Sequence, residues 1–133
     1  YDPTVTTVQT PVDEVFRLRH GVCQDFAHLM IASLRSIGLA ARYVSGYLRT
    51  IPPPGEKKLV GADATHAWLA VYCGGRLWIG VDPTNNCIVG DDHITLAWGR
   101  DYTDVCPIKG VYVGSSIQNL TVAVDVVPLA ATS

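Results

Sequence analysis

Cys23, His66 and Asp82 are the residues whose types and order could carry nucleophilic chemistry. Cys23 lies in the run Arg19-His20-Gly21-Val22-Cys23-Gln24-Asp25-Phe26-Ala27-His28, where a loop turns into an amphipathic helix at the cysteine. A thiol in a helix's first turn feels the positive end of the macrodipole and unpaired backbone N–H groups, and both favour thiolate, the nucleophilic form. Downstream, Thr65-His66-Ala67-Trp68 and Val81-Asp82-Pro83-Thr84 supply an imidazole and a carboxylate. In thiol acyl transfer the thiolate attacks a carbonyl, and an imidazole takes the thiol proton and returns it to the leaving amine. A carboxylate holds that imidazole in one tautomer. N–H groups at the helix start, that of Cys23 included, could face the oxyanion. Each piece alone has an ordinary explanation: a core cysteine, a packed histidine beside tryptophans, an Asp-Pro turn start. The joint arrangement gives them weight.

The elements that must position these residues are legible in part. Thr10-Pro11-Val12-Asp13-Glu14, with an N-cap threonine and an N1 proline, predicts a short helix to about Leu18, broken at His20-Gly21. Val22, Phe26, Leu29, Met30, Leu34 and Ile37 recur at helical spacing and predict the buried stripe of a central helix, with Gly38 at C′. Ala27, Ile31 and Ala32 leave its other faces apolar as well. Residues 41–48 read as a strand and 51–64 as a surface loop that is either a wall of the site or a plain connection. Residues 65–72 and 76–82 read as a hairpin through Cys73-Gly74-Gly75.

The turn decides whether the candidates can meet. A two-residue Gly74-Gly75 loop pairs Cys73 with Arg76 and puts His66 and Asp82 on opposite faces. A three-residue loop, Cys73 to Gly75, pairs His66 with Asp82, and a His66–Asp82 couple predicts that loop, with Gly75 left-handed, or a bulge with the same effect. Residues 83–110 read as turn and loop with short structure near 94–98, and 111–113 and 120–127 as closing strands. Helices followed by strands predict an α+β fold, an antiparallel sheet packed on a central helix that starts at Cys23.

Composition bounds the function. A chain of 133 residues, 48% apolar and 17% charged, is one soluble domain able to bury a core. A net charge of −2 without a basic run gives no footprint for nucleic acid, and no apolar stretch reaches the ~18–20 residues of a membrane span. No signal peptide is visible, and a start at Tyr1 rather than Met reads as a fragment or processed product. The cysteines Cys23, Cys73, Cys87 and Cys106 form no close pair, which points to a reducing cytoplasm. His20, Cys23 and His28 fit no zinc spacing, and Asp91-Asp92 falls short of a calcium site, so no metal or other cofactor is expected.

The segments Gly21-Val22-Cys23-Gln24-Asp25-Phe26-Ala27, Gly38-Leu39-Ala40-Ala41-Arg42-Tyr43-Val44-Ser45-Gly46-Tyr47, Thr65-His66-Ala67-Trp68 and Val81-Asp82-Pro83-Thr84-Asn85, with the tail Gly99-Arg100-Asp101-Tyr102-Thr103-Asp104-Val105, resemble the transglutaminase-like core of bacterial proteins. The resemblance covers roughly residues 10–125. It implies a papain-like arrangement with Cys23 as nucleophile, His66 as acid and base, and Asp82 as orienting carboxylate. It also implies an upstream β-rich domain in the whole protein, with residues 1–133 as one catalytic core. Such folds host peptidases, amidases and acyl transferases. Hydrolysis of a peptide or amide bond in a peptide or protein substrate is favoured, because nothing marks an amine-donor site. Cys23→Ala and His66→Ala should abolish acyl-enzyme formation, and Asp82→Asn should leave partial activity. The rival readings are a non-catalytic peptide- or protein-binding module with the same fold and a zinc site on the same residues.

Of the remaining polar and aromatic residues, Asp25 is expected to support the helix start and His28 to be structural. Tyr43, Trp68 and Trp78 line the site or fill the core. His93 and Asp101 are candidates for an outer hydrogen bond.

Overall fold

Among residues 1–52, 54–56, 63–106, 110–111, 113–114 and 121–129, which a computed structural model describes, two α-helices lead into a five-stranded antiparallel sheet. Helix α1 (Val12–Leu18) takes Pro11, not Thr10, as its N-cap, and Thr10 Oγ1 instead accepts the Thr7 N–H at 2.8 Å. The helix stops at Arg19, left-handed at φ 57°. Helix α2 (Cys23–Ser36) ends as its glycine predicts: Gly38 has φ 83°, its N–H bonds to Arg35 O, and the Leu39 N–H bonds to Leu34 O, each at 3.0 Å.

The buried stripe of α2 differs from the one read off the sequence. Ala27 and Ile31 face the sheet, with Cys23, Met30 and Leu34 packed beside them, while Ile37 is exposed. The small Ala27 lets the helix approach Ala67, Leu69 and Tyr43 closely, so the i, i+4, i+8 row through Cys23 becomes the core row. This turns the Cys23 side chain toward the sheet rather than into open solvent.

The strands are β1 (Ala41–Leu48), β2 (Ala64–Tyr72), β3 (Trp78–Asp82), β4 (Cys87–Ile88) and β5 (His93–Gly99), in the order β4-β3-β2-β1-β5. A 3₁₀ turn, η1 (Tyr102–Asp104), follows. One sheet face, with Ala41, Tyr43, Ala67 and Leu69, packs on α2. The other carries Val44, Trp68 and Ala70, with Trp78 and Val89 against them. The Trp68 indole fits because the residue diagonal to it on β1 is Gly46, where a Cβ would lie 2.5 Å from the ring and 2.1 Å from Ile94 O.

The hairpin has a three-residue loop, placed one residue later than the sequence reading puts it. The Cys73 N–H bonds to Leu77 O and the Leu77 N–H to Gly74 O, each at 3.0 Å, and Gly74 (φ 97°) and Gly75 (φ 60°) are both left-handed. Tyr72 therefore pairs with Trp78 and Leu69 with Val81. His66 and Asp82 still share a face, as diagonal neighbours rather than as a direct pair.

The segment 51–63 is a connection at its described positions, Ala64 already begins β2, and 57–62 and Pro53 lie outside the described residues. Its base is tied by the buried Asp63, whose Oδ1 accepts from Thr50 N at 2.6 Å and Thr50 Oγ1 at 2.9 Å. The closing strands expected near the C-terminus are not formed at the described positions. Val111 and Val113 are irregular, and within 121–127 only Val124 makes a bridge, its carbonyl accepting the Asp63 N–H at 3.1 Å. Tyr112 and Leu120 lie outside the described residues. No described helix is long and apolar enough to cross a membrane.

Candidate active site

The start of α2 is set by a carboxylate. Asp25 Oδ2 accepts the Val22 N–H at 2.8 Å and the Thr6 hydroxyl at 2.6 Å, and the side chain is buried. This is one half of a capping box, and it leaves the N–H groups of the first turn for Cys23. Gly21 makes room for it, since a Cβ there would lie 2.6 Å from Asp25 Oδ2.

Cys23 Sγ faces the N–H groups of Ala67, Gln24 and Cys23 itself. The paired residues of β3 run only as far as Val81 opposite Leu69, so Ala67 lies beyond the β3 ladder. The surroundings of the thiol act against the thiolate that its helix position favours. Burial pushes the thiol pKa up, the Asp82 charge adds to that, and the N–H groups only partly offset both. The correction has a simple cause: the same row of α2 that anchors the helix to the sheet also takes Cys23 out of water.

Cys23 and His66 line one cleft of about 320 Å³, together with Gln24, Tyr43, Tyr102 and Tyr1. No Cys23–His66 hydrogen bond is formed among the described residues. His66 Nε2 is 2.7 Å from Asp82 Oδ2, so Nδ1 is the ring nitrogen left for a group in the cleft. Asp82 is fully buried and surrounded by donors. Its Oδ2 also accepts from Asn85 Nδ2 at 2.7 Å and His93 Nε2 at 3.0 Å, and its Oδ1 from Thr84 N at 3.0 Å and Asn85 N at 3.1 Å.

Burial by itself raises the Asp82 pKa. Hydrogen bonds from Asn85, His93 and His66 outweigh it and bring the carboxyl from 3.8 to about 2. A depressed folded-state pKa contributes stability above the ordinary carboxylate range and loses it as pH falls through the folded value. Asp82 is therefore expected to add on the order of 2 kcal/mol at neutral pH and to lose it between about pH 4 and about pH 2. Urea unfolding of native protein and Asp82→Asn checks this: the gap between their midpoints should close across that window. A gap that stays constant would contradict it.

The other expected residues fall into separate places. Tyr43 lines the cleft but is almost wholly buried, its ring 4.8 Å from that of His28. Trp68 lies under the imidazoles, at 5.9 Å from His66 and 5.2 Å from His93 between ring centroids. Trp78 lies against Arg42, whose guanidinium is held between Trp78 and Trp98, in a different hollow of about 530 Å³. His28 Nε2 accepts the Tyr102 N–H at 3.1 Å and joins α2 to η1. His93 meets Asp82 rather than Asp101, and Asp101 instead caps η1 through Thr103 N. The donor atoms of His66, Asp82 and His93 lie within 4.8 Å of one another. Both Nε2 atoms face the Asp82 carboxylate there, so the three side chains can satisfy one another.

Asn85 and His93 are the polar neighbours that the residue-by-residue reading did not join to Asp82. The signal for Asn85 was the Asx turn implicit in Asp82-Pro83-Thr84-Asn85, where an aspartate caps N–H groups just ahead of it.

A family model described as the transglutaminase-like superfamily matches residues 1–83, which include α2 with Cys23, β2 with His66, and Asp82. The chain belongs to the transglutaminase-like superfamily. Within it, an uncharacterised protein of Mycobacterium tuberculosis is 53% identical over 128 residues, covering 92% of this chain and 41% of the relative. An uncharacterised protein of Mycobacterium leprae is 41% identical over 133 residues, covering 98% and 46%. The chain thus spans less than half the length of these relatives. A protein-glutamine gamma-glutamyltransferase of Pseudomonas aeruginosa is 33% identical over 92 residues, 63% of this chain and 14% of that protein. Among solved structures, a candidate cysteine protease from Cytophaga hutchinsonii matches with a TM-score of 0.65 and 35% identity, over 80% of this chain and 33% of that one. The transglutaminase-like fold here is thus a mixed α/β core with its antiparallel sheet against α2.

Proposed function

We propose that this chain is the catalytic core of a thiol acyl hydrolase or transferase that acts on peptide or amide bonds. Cys23 is the nucleophile, His66 the acid and base, and Asp82 the carboxylate that orients His66. One observation carries this reading: His66 Nε2 engages Asp82 Oδ2 at 2.7 Å on the wall of a cleft that Cys23 also lines. Membership of a superfamily that includes relatives named for glutamyl transfer and thiol proteolysis supports it.

In the proposed reaction the Cys23 proton passes to His66 Nδ1 as sulfur bonds to the substrate carbonyl carbon. The carbonyl oxygen becomes an oxyanion facing N–H groups at the start of α2. The imidazolium then protonates the departing amine, the C–N bond breaks, and a thioester remains on Cys23. Water, deprotonated by His66, attacks the thioester; the acid leaves and the thiol is restored. An amine in place of water gives acyl transfer. Hydrolysis is the proposed outcome, since no amine-donor feature was found in the sequence. The substrate class is a peptide or protein, with residues 1–133 as one core of a longer protein that carries a β-rich domain upstream. A reducing compartment, the cytoplasm, is proposed on the spacing of Cys23, Cys73, Cys87 and Cys106, which form no close pair along the sequence.

The test is the alkylation rate of each cysteine against pH, read by peptide mass spectrometry in native protein and His66→Ala. Near neutral pH, Cys23 is expected to react far faster than the exposed Cys73 and Cys87. In His66→Ala it should become slower than either, because burial alone pushes its thiol up. If Cys23 reacts no faster than the others in native protein, the reading falls and a binding module takes its place.

A further inference from the structure

His93 is anchored on both of its ring nitrogens, and the reaction sketched above uses neither. Nδ1 lies 3.4 Å from the Gly90 N–H, which donates to it, so Nδ1 carries a lone pair and the proton sits on Nε2. Nε2 then donates to Asp82 Oδ2 at 3.0 Å, the same oxygen that His66 Nε2 engages. The ring is held by Trp68, whose indole stands edge-on to it at 81° and also lies against His66. The side chains of both histidines are nearly buried, at 6% exposed for His93 and 9% for His66. His93 stands outside the cleft that Cys23 and His66 line, so it has no direct route to substrate.

We propose that His93 is a positioning residue, which acts through Asp82 to fix the direction from which His66 is held. Built on the catalytic reading above, this gives the carboxylate a second imidazole as a fixed post. Three nitrogens converge on Oδ2, and His93 Nε2 and Asn85 Nδ2 bound the sector of that oxygen left for His66 Nε2. Backbone N–H groups of Thr84 and Asn85 hold Oδ1, so the carboxylate cannot turn. The gain is in orientation: His66 keeps its Nε2–H tautomer, and Nδ1 stays directed to the cleft. The ionisable groups around this cluster are Cys23 on α2, His66 on β2 and Asp82 on β3. Beside it, Asp92 is taken by Arg49 at 2.6 Å.

Three substitutions separate positioning from filling space. His93→Phe keeps the ring's shape and removes both nitrogens. His93→Gln can bring an amide N–H to the place of Nε2, whereas His93→Asn reaches only as far as Nδ1. The readouts are the Cys23 alkylation rate near neutral pH and the ¹⁵N and ¹H signals of the His66 ring. Native protein and His66→Ala serve as references. Expected are an approximately tenfold fall in the Cys23 rate for the Phe and Asn variants, most of the rate regained with Gln, and loss of a single Nε2–H tautomer at His66 in Phe and Asn alone. Equal behaviour of Gln and Asn, or an unchanged His66 signal in His93→Phe, would overturn the proposal. A native Cys23 no faster than in His66→Ala would overturn the catalytic reading instead, and the ring signals would still decide the role of His93. Should the Phe variant not fold, the difference between Gln and Asn decides the same question.

Discussion

Cys23→Ala is expected to abolish acyl-enzyme formation on any amide or ester probe, a loss of at least about 10⁴-fold, while the fold persists. The magnitude follows from how nucleophile-dependent sites behave: without the attacking atom, only binding and oxyanion contacts remain. The fold should persist because Cys23 packs at the edge of the cluster built on Ala27, Ile31, Tyr43 and Leu69. The helix start depends on Asp25 and Val22 rather than on the thiol. Removing one sulfur from a half-buried position costs about 1 kcal/mol. Trapping of the acyl-enzyme from an ester probe, located by peptide mass spectrometry, beside a melting curve, checks both halves. Full labelling or turnover in the alanine variant would remove Cys23 from the mechanism. A collapsed melting curve would instead make it a core residue.

Asp82→Asn should have the second-largest effect, and it reaches stability as well as activity. Asp82 receives donors on both oxygens: Thr84 N and Asn85 N on Oδ1, and His66, Asn85 and His93 side chains on Oδ2. An amide has one oxygen. Whichever way it is turned, its NH₂ points at groups that are themselves donors, in a fully buried place. The cost is on the order of 2–3 kcal/mol, that of buried hydrogen-bonding groups left unmatched. If the amide oxygen turns to the backbone N–H groups, His66 must switch tautomer, and Nδ1 then carries a proton and has no lone pair to take the one from Cys23. A rate loss of roughly 10²–10⁴-fold then leaves the partial activity that the sequence reading expects. Chemical denaturation and Cys23 alkylation on the same preparation measure the two effects. An unaltered alkylation rate would show that His66 does not depend on Asp82.

These two residues also show how far the sequence could be read. Cys23 stands out because a strong helical period starts at it, and His66 and Asp82 because of their types and order and because their segments resemble the transglutaminase-like core. Their close approach nonetheless hung on one turn. Gly74 and Gly75 can both take positive φ, so the sequence alone could not say where the loop starts, and the structure places it one residue on. Parity survived that displacement, which is why His66 and Asp82 remain on one face. The stripe of α2 was misjudged because period alone does not tell which of two apolar rows touches the sheet. The small Ala27 decided that, and with it the burial of Cys23. His93 went unread as a partner of Asp82 because a loop separates them, so the pairing exists only once β5 lies beside β1. The alternating valines of 121–127 looked like a strand, yet the described pairing is a single bridge at Val124. Thr10 looked like a cap and is taken by Thr7.

The row of α2 that turns Cys23 against the sheet has a kinetic corollary. Cys23 sits in the first long helix, whereas His66, Asp82 and His93 come from strands much later in the chain. Strand pairing between distant segments is slow compared with helix formation. During synthesis or refolding the chain therefore passes through states in which α2 exists and its cysteine is an ordinary thiol, without a base beside it. On the proposed reading, reactivity above that of an ordinary thiol appears only when β3 has docked on β2 and β5 on β1. The onset of rapid Cys23 labelling is, on that same reading, a clock for completion of the sheet.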